Sequence, residues 1–212
     1  MAATTRTPSR DSSVAEAQPR PGLRERKKLK TRIAIRRATY GLIAAQGYEA
    51  TTIEQIAEAA EVSPSTVFRY FPTKEDIVLT DEYDPVMETA LRDRPAGEDP
   101  LESIRHVMTH ALRTFIHEER EEVIQRTRLM VEVPAIRARM TETMATTSEL
   151  LVQALADRTG RDRDDLDVRV FTAAVLGALR EVMLHWAAHD HQDDLIELVD
   201  RALTTIKGGL KL

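Results

Sequence analysis

Residues 44–78 read AAQGYEATTIEQIAEAAEVSPSTVFRYFPTKEDIV, and their punctuation decides the fold. Gly47 supplies a helix stop. Thr51 or Thr52 then caps a short helix whose buried stripe is Ile53, Ile56, Ala57 and Ala60. Val62 falls in a tight connection, Ser63 is a good N-cap, and Pro64 stands at the first helical position, where its missing N–H costs nothing. The next helix therefore runs only from Pro64 to about Phe71 before Pro72 ends it and Thr73 caps another. A helix of about eight residues cannot sustain itself in water. It must be held by packing, through Val67 and Phe71 against Ile53, Ile56 and Ala57. Two short helices joined in this way make a helix-turn-helix, whose second helix can enter a major groove with its N-terminus near phosphate.

Upstream, Ile35, Ala38, Thr39, Leu42 and Ile43 share one face and predict a helix over 23–46. The net charge of −5 conceals an asymmetry: residues 1–50 carry 11 Lys and Arg against 4 Asp and Glu, while residues 51–212 carry 19 against 31. Nine basic residues between Arg20 and Arg37, among them Lys27, Lys28 and Arg32, face the single acid Glu25. That is the electrostatic footprint of phosphate-backbone binding, and a solvated helix face gives the same count. Residues 1–22, rich in Thr, Ser, Arg and Pro, read as a disordered arm; a transit peptide is the other reading. The absence of cysteine excludes disulfides and thiolate chemistry. No continuous apolar run approaches the roughly 18 residues of a spanning helix, so no membrane partner and a cytoplasmic location are expected.

Downstream, the pattern stays helical. Helices are predicted over 74–92, 100–119, 121–133, 134–158, 165–188 and 192–207, with the clearest break at 93–100 (DRPAGEDP) and a stop at Thr159-Gly160. The expected fold is all-α: a three-helix helix-turn-helix domain over 23–73, then a helical bundle over 74–212 for ligand binding and dimerisation.

The segment over 44–78 resembles the TetR family of bacterial transcriptional regulators. The resemblance rests on Gly47-Tyr48, Thr51-Thr52-Ile53, Ile56-Ala57, Val62-Ser63, Thr66, the aromatic-x-aromatic-Phe run from Phe68 to Phe71, and Lys74-Glu75. It implies DNA contacts. Thr52 would offer its hydroxyl and backbone N–H to a phosphate; Ser63, Pro64, Ser65 and Thr66 would open the recognition helix; Tyr70 and Lys74 would touch phosphates. Phe68 replaces the more usual Tyr and can offer apolar contact, for instance to a thymine methyl, or pack in the core. Arg69 suits a bidentate guanine contact or a phosphate. Glu61 stands where the family usually has Gly, and a non-Gly residue forced to positive φ costs about 1 kcal/mol.

Such regulators pair a DNA-binding head with a dimerising, effector-binding body. In VRVFTAAVLGALREVMLHWAAH, residues 168–189, apolar side chains occupy almost every face, so both sides need cover. With Leu195, Ile196, Val199, Leu203 and Ile206 on the last helix, this predicts a homodimer through the last two helices, arranged as a four-helix interface. Residues 126–160 resemble the ligand-binding half of an actinobacterial TetR branch associated with acyl-CoA-like effectors, and Arg126, Arg128, Arg137 and Arg139 are available for a tunnel mouth. Candidate effector-binding residues are Met108, Phe115, Met130, Phe171, Arg180 and Trp186, although methionine and phenylalanine also serve as ordinary core filler. Two histidine pairs, His106 with His110 and His185 with His189, have zinc-compatible spacing but no evident third ligand, so neither a metal nor a cofactor is assigned. No catalytic motif is found. The expected function is a ligand-responsive repressor released from a palindromic double-stranded DNA operator by a small apolar or acyl-type effector. A helical protein that sequesters a small molecule without reading DNA is the alternative.

Overall fold

The computed structural model describes residues 23–80 and 84–211; of these, the side chains of residues 25, 84–86 and 114–119 lie outside the description, as does the predicted arm over 1–22. Among the described residues there are nine helices and no strand. The head is built from α1 (Leu23–Gln46), α2 (Ile53–Ala59) and α3 (Pro64–Tyr70). Its termini follow from local chemistry. Gly47 leaves α1 at φ +86°, Thr52 caps α2 in a capping box with Gln55, and Ser63 Oγ accepts the Thr66 N–H at 3.1 Å. Ile35, Ile56, Ala57, Val67 and Phe71 close into one core, joined by Ile77 from the next helix.

Between α2 and α3 the chain turns through Glu61, whose φ is +54°. The left-handed conformation that glycine would take without strain is therefore adopted by a side-chain-bearing residue.

α4 (Lys74–Leu79) joins head and body. Assigned to the body from sequence, it gives Ile77 to the head core, while Val78 and Leu79 join Tyr40, Leu129, Met130, Ile136 and Met140 in a second apolar cluster. Asp76 is buried, accepts from Thr73, and is gripped by Arg139 through Nε to Oδ1 at 2.9 Å and Nη2 to Oδ2 at 3.2 Å. Burial pushes the Asp76 carboxyl up, but the Arg139 and Thr73 hydrogen bonds outweigh it and hold the group below the usual range. Arg126 donates to the Leu79 carbonyl at 2.7 Å, and Glu122 draws both Arg36 and Arg37 across from α1.

The helix boundaries differ from the sequence reading at three places. The single helix expected over 74–92 is split into α4 and α5 (Asp84–Arg92), because Pro85 can neither donate to the preceding turn nor fit within a helix interior. The two helices expected over 100–133 are one, α6 (Pro100–Glu132), since no Gly, Pro or cap interrupts His117–Glu122. α7 (Pro134–Thr159) ends at Gly160 in the left-handed conformation as expected. α8 (Leu166–Ala188) begins after the Asp165 cap, and α9 (Leu195–Lys207) starts three residues later than predicted because Asp190 and His191 turn left-handed and Asp194 provides the cap.

The break over 93–100 is not slack. Arg158 donates to the carbonyls of Leu91, Arg94 and Pro95 and to Ser103 Oγ at 2.8 to 3.0 Å, pinning the loop to α7. At the other end of the body, Trp186 is fully buried, donates to the Asp193 carbonyl at 2.8 Å, and meets the His191 ring edge-on. His191 Nε2 lies 2.8 Å from Thr127 Oγ1, and burial lowers its pKa.

Replacing Glu61 by Gly should raise stability by about 1 kcal/mol, the strain of a non-Gly residue at positive φ. A denaturant midpoint shifted upward with an unchanged slope is the expected readout.

Candidate nucleic-acid interface and apolar cavity

Because Val67 and Phe71 point inward, helical geometry turns Ser65, Phe68 and Arg69 outward, and all three are exposed. Phe68 retains 52% of its surface, which core packing would have removed. Ser63 Oγ lies 2.9 Å from both Ser65 Oγ and Thr66 Oγ1, a small hydroxyl cluster at the start of α3. Arg69 stacks over Tyr70 at 5.3 Å and makes no ion pair among the described residues. Its five donors therefore face outward with a π surface to orient them. Along α1, Arg24, Arg26, Lys27, Lys28 and Lys30 are exposed.

Two of the residues read as phosphate ligands are partly spent on the fold. Lys74 Nζ donates to the carbonyls of Tyr48 and Thr51, each at 2.8 Å, and lies over the Tyr48 ring. Its charge braces α4 against the α1–α2 connection, and only one N–H remains for an outside acceptor. The Thr52 backbone N–H is taken by Gln55 Oε1 at 3.0 Å, so of the expected pair of donors the hydroxyl alone is free.

The body contains an apolar cavity of about 220 Å³ between four helices. Met87 and Glu88 of α5, Ile104 and Met108 of α6, Thr147, Leu150 and Leu151 of α7, and Leu176 and Leu179 of α8 line it. Of the five sequence candidates whose side chains are described, Met108 alone is on this wall. Trp186 is core, tied to Asp193 and His191. Met130 packs at the head–body junction, and Phe171 packs against the main core without lining the cavity. Arg180 is exposed, on the outward face of α8 that it shares with Ala173 and Gly177. The Phe115 side chain falls outside the described set. Nor do the four arginines reach the cavity: Arg126 bonds Leu79, Arg137 bonds Val131, Arg139 bonds Asp76, and Arg128 stands 4.0 Å from Glu132. Sequence reasoning missed most of the true wall, although Leu176 carried a signal: it sits off the broad apolar stripe of α8.

A larger, open groove of about 930 Å³ lies between α6 and α9; within it Arg94 pairs with Glu98 and Arg105 with both Glu102 and Asp200, while Arg113, Arg201 and Lys211 add further positive charge. Among the described residues no group of three His, Asp or Glu side chains could hold a metal ion.

Residues 35–80 match the bacterial regulatory proteins of the tetR family, and residues 98–211, more than half of the chain, match the MftR C-terminal domain. The chain is 38% identical over 170 residues to the HTH-type transcriptional regulator TcmR of Streptomyces glaucescens, covering 77% of this chain and 75% of that one. The chain belongs to the TetR family. This TetR-family regulator is also 26% identical over 175 residues to the transcriptional regulator MftR of Mycobacterium tuberculosis, covering 80% and 85% of the two chains. Among solved structures, the Thermus thermophilus repressor FadR in complex with lauroyl-CoA superimposes with a TM-score of 0.54 at 26% identity, covering 85% of this chain and 95% of that one. The head over α1 to α3 is thus a TetR helix-turn-helix, and the protein is a DNA-binding transcriptional regulator.

For this TetR-family head, Arg69→Ala should cost about 1 to 3 kcal/mol on the cognate site and relax discrimination at one base pair, if the guanidinium reads guanine. Lys28→Ala should weaken all sequences about equally. Equilibrium binding of each variant to a panel of single-base operator changes separates the two; a uniform loss for Arg69→Ala assigns that residue to the backbone.

Proposed function

We propose that this regulator is a homodimeric repressor released from a two-fold-related operator when a small apolar molecule occupies the cavity between α5, α6, α7 and α8. The observation that carries the reading is the pairing, in one chain, of an outward-facing recognition helix with a cavity whose walls are nearly all hydrocarbon. Thr52, Ser63, Pro64, Ser65, Thr66, Phe68, Arg69 and Tyr70 are the proposed DNA face, with Lys74 contributing the N–H it has left.

Dimerisation follows from an uncovered stripe. Leu166 is 72% exposed and Val170 57%, and Ala173, Ala174 and Gly177 continue the same face toward Arg180 and Glu181. By length and composition α8 could cross a membrane, yet it carries these charges and packs on α6, α7 and α9. The stripe of small residues allows close helix approach, and a two-fold axis across it brings the same face of two copies together. On α9 the residues Leu195, Leu198, Val199 and Leu203 are buried within their own subunit, so the proposed interface centres on α8 and is flanked by α9.

Val170→Glu puts a charge on this stripe without touching the core and should convert dimer to monomer in sedimentation equilibrium, with helical content unchanged.

Two linked heads can dock together only at matched spacing, about 34 to 36 Å for successive turns of one duplex face. Selection from genomic fragments should therefore enrich an inverted repeat. Affinity for it should fall with salt, by a log–log slope near −0.9 for each phosphate neutralised. A selection that enriches no motif, or binding indifferent to salt, rejects the operator reading.

A further inference from the structure

The chain turns from α8 into α9 through two consecutive residues in the left-handed region, Asp190 at φ +54° and His191 at φ +58°. Neither is glycine, so the surroundings must hold them there. Trp186 does much of this: its carbonyl accepts the His191 N–H at 2.9 Å, its indole N–H reaches the Asp193 carbonyl at 2.8 Å, and its ring meets the His191 imidazole edge-on. This elbow lies toward the heads, since Leu184, two residues before Trp186, packs against the head–body cluster.

The bend aims the imidazole at α6. His191 Nε2 lies 2.8 Å from Thr127 Oγ1, and both residues are buried. The direction of this hydrogen bond follows from what the hydroxyl already does. Its one hydrogen goes back to the Val123 carbonyl at 2.9 Å or the Ile124 carbonyl at 3.1 Å, which leaves the oxygen to accept. Burial, then Arg128 and Arg120, lower the His191 pKa against the opposing pull of Asp190, so the ring is neutral with its N–H on Nε2. Thr127 stands among residues that hold the head: Arg126 donates to the Leu79 carbonyl, Glu122 faces Arg36 and Arg37, and Leu129 and Met130 enter the junction core. Helical geometry puts it on a different flank of α6 from Glu122, Arg126 and Leu129.

We propose that His191 is a positioning residue for DNA binding: by donating to Thr127 it ties the elbow between α8 and α9 to the stretch of α6 that carries the head, and so sets the separation of the two recognition helices. The proposal rests on the dimer reading above. A two-fold axis doubles any error, because a tilt of one head away from the axis is repeated by the other. An operator tolerates little of it, since one base pair advances a half-site by about 3.4 Å. A hydrogen bond suits the task better than apolar contact, because it fixes direction as well as distance.

The chain has no cysteine, so Glu58→Cys, at an exposed position of α2 outside the proposed DNA face, places one spin label on each protomer. Pulsed electron–electron double resonance on the full-length labelled protein then reads the head separation without an operator, and one narrow distance distribution is expected. Thr127→Val keeps the side-chain shape and removes the acceptor. His191→Asn suits the left-handed backbone, but its shorter amide cannot reach Thr127. Each should shift or broaden the distribution by about 3 Å or more, the advance of one base pair, with helical content and dimer mass retained. Thr127→Ser, and His191→Gln with its terminal amide in the place of Nε2, should keep the distribution narrow. If Thr127→Val fails to fold, His191→Asn against His191→Gln decides. A distribution unmoved by Thr127→Val and His191→Asn overturns the proposal. So does one that moves equally for His191→Asn and His191→Gln, which would make the imidazole a matter of packing alone. A labelled protein with the mass of a monomer and no signal between labels rejects the dimer reading and the proposal together, whereas a dimer whose heads stay in place rejects the proposal only.

Discussion

A seven-residue helix has no stability of its own in water, and everything at the DNA-facing end of this protein answers to that constraint. α3 is held at its start by the Ser63 cap and Pro64, and along its length by Val67 and Phe71, which are both essentially inaccessible. Burial of these two side chains is worth on the order of 1.5 to 3 kcal/mol each. It is spent entirely on one face, and the other is left free. Arg32 over the Phe71 ring at 4.7 Å adds the basic helix to the same support, so the element richest in positive charge is also the one that braces the reader. Lys74 shows the same economy, since its ammonium serves first to close the α1–α2 connection against α4.

The head in turn has no independent lower boundary. Ile77 is head core, Val78 and Leu79 are junction core, and Asp76 between them and Thr73 is clasped by Arg139 from α7. Arg126 takes the last carbonyl of α4, and Glu122 reaches the basic helix from α6. These are charge-assisted contacts at a partly buried seam, the kind whose loss leaves a stranded charge rather than a solvated one. α4 therefore cannot tilt independently of α6 and α7, which are also two walls of the cavity. What joins the sites is a continuous set of packed elements. A change in the spacing of α6 and α7 has to be taken up at α4 or resisted by it.

Much of this was legible in the sequence because helix ends are written in single residues. Gly47, Ser63-Pro64, Pro72 and Gly160 each fix a terminus by local stereochemistry, and the helices they bound were read almost to the residue. Where punctuation was weak or misjudged the reading failed: Pro85 was passed over, and the charged run after Phe115 was taken for a gap though nothing in it stops a helix. The positive φ at Glu61 was foreseeable from a resemblance, since only the comparison with a glycine-bearing pattern reveals what the turn demands. The cavity was not foreseeable. Counting Met, Phe and Trp identifies residues that fill space, and well-packed space is what a cavity lacks. Trp186 and Met130 are large and apolar and therefore became core, while the wall fell mostly to Leu and Ile positions, beside Met87 and Met108, whose significance depends on which helices they face. Arg180 misled for the complementary reason, because a basic residue in an apolar string marks the outward stripe as readily as a buried ligand contact.

That outward stripe and the cavity share one helix, and this constrains regulation more than either feature alone. Leu176 and Leu179 line the cavity, whereas Val170, Ala173, Ala174 and Gly177 lie on the exposed side of the same α8. A helix with an occupant on one flank and a second subunit on the other transmits displacement between them, since its backbone is rigid over its length. A ligand can shift the balance of head spacings only by as much as it prefers one over the other. With a coupling of about 1 to 3 kcal/mol the effect on operator affinity is about 5- to 150-fold. On the reading proposed above, a cavity of this size offers few contacts from which to draw that preference, and the difference rests on how tightly α8 closes on the occupant. The small residues on its outer face are suited to that, because helices in close contact through Ala and Gly slide past one another with little side-chain rearrangement.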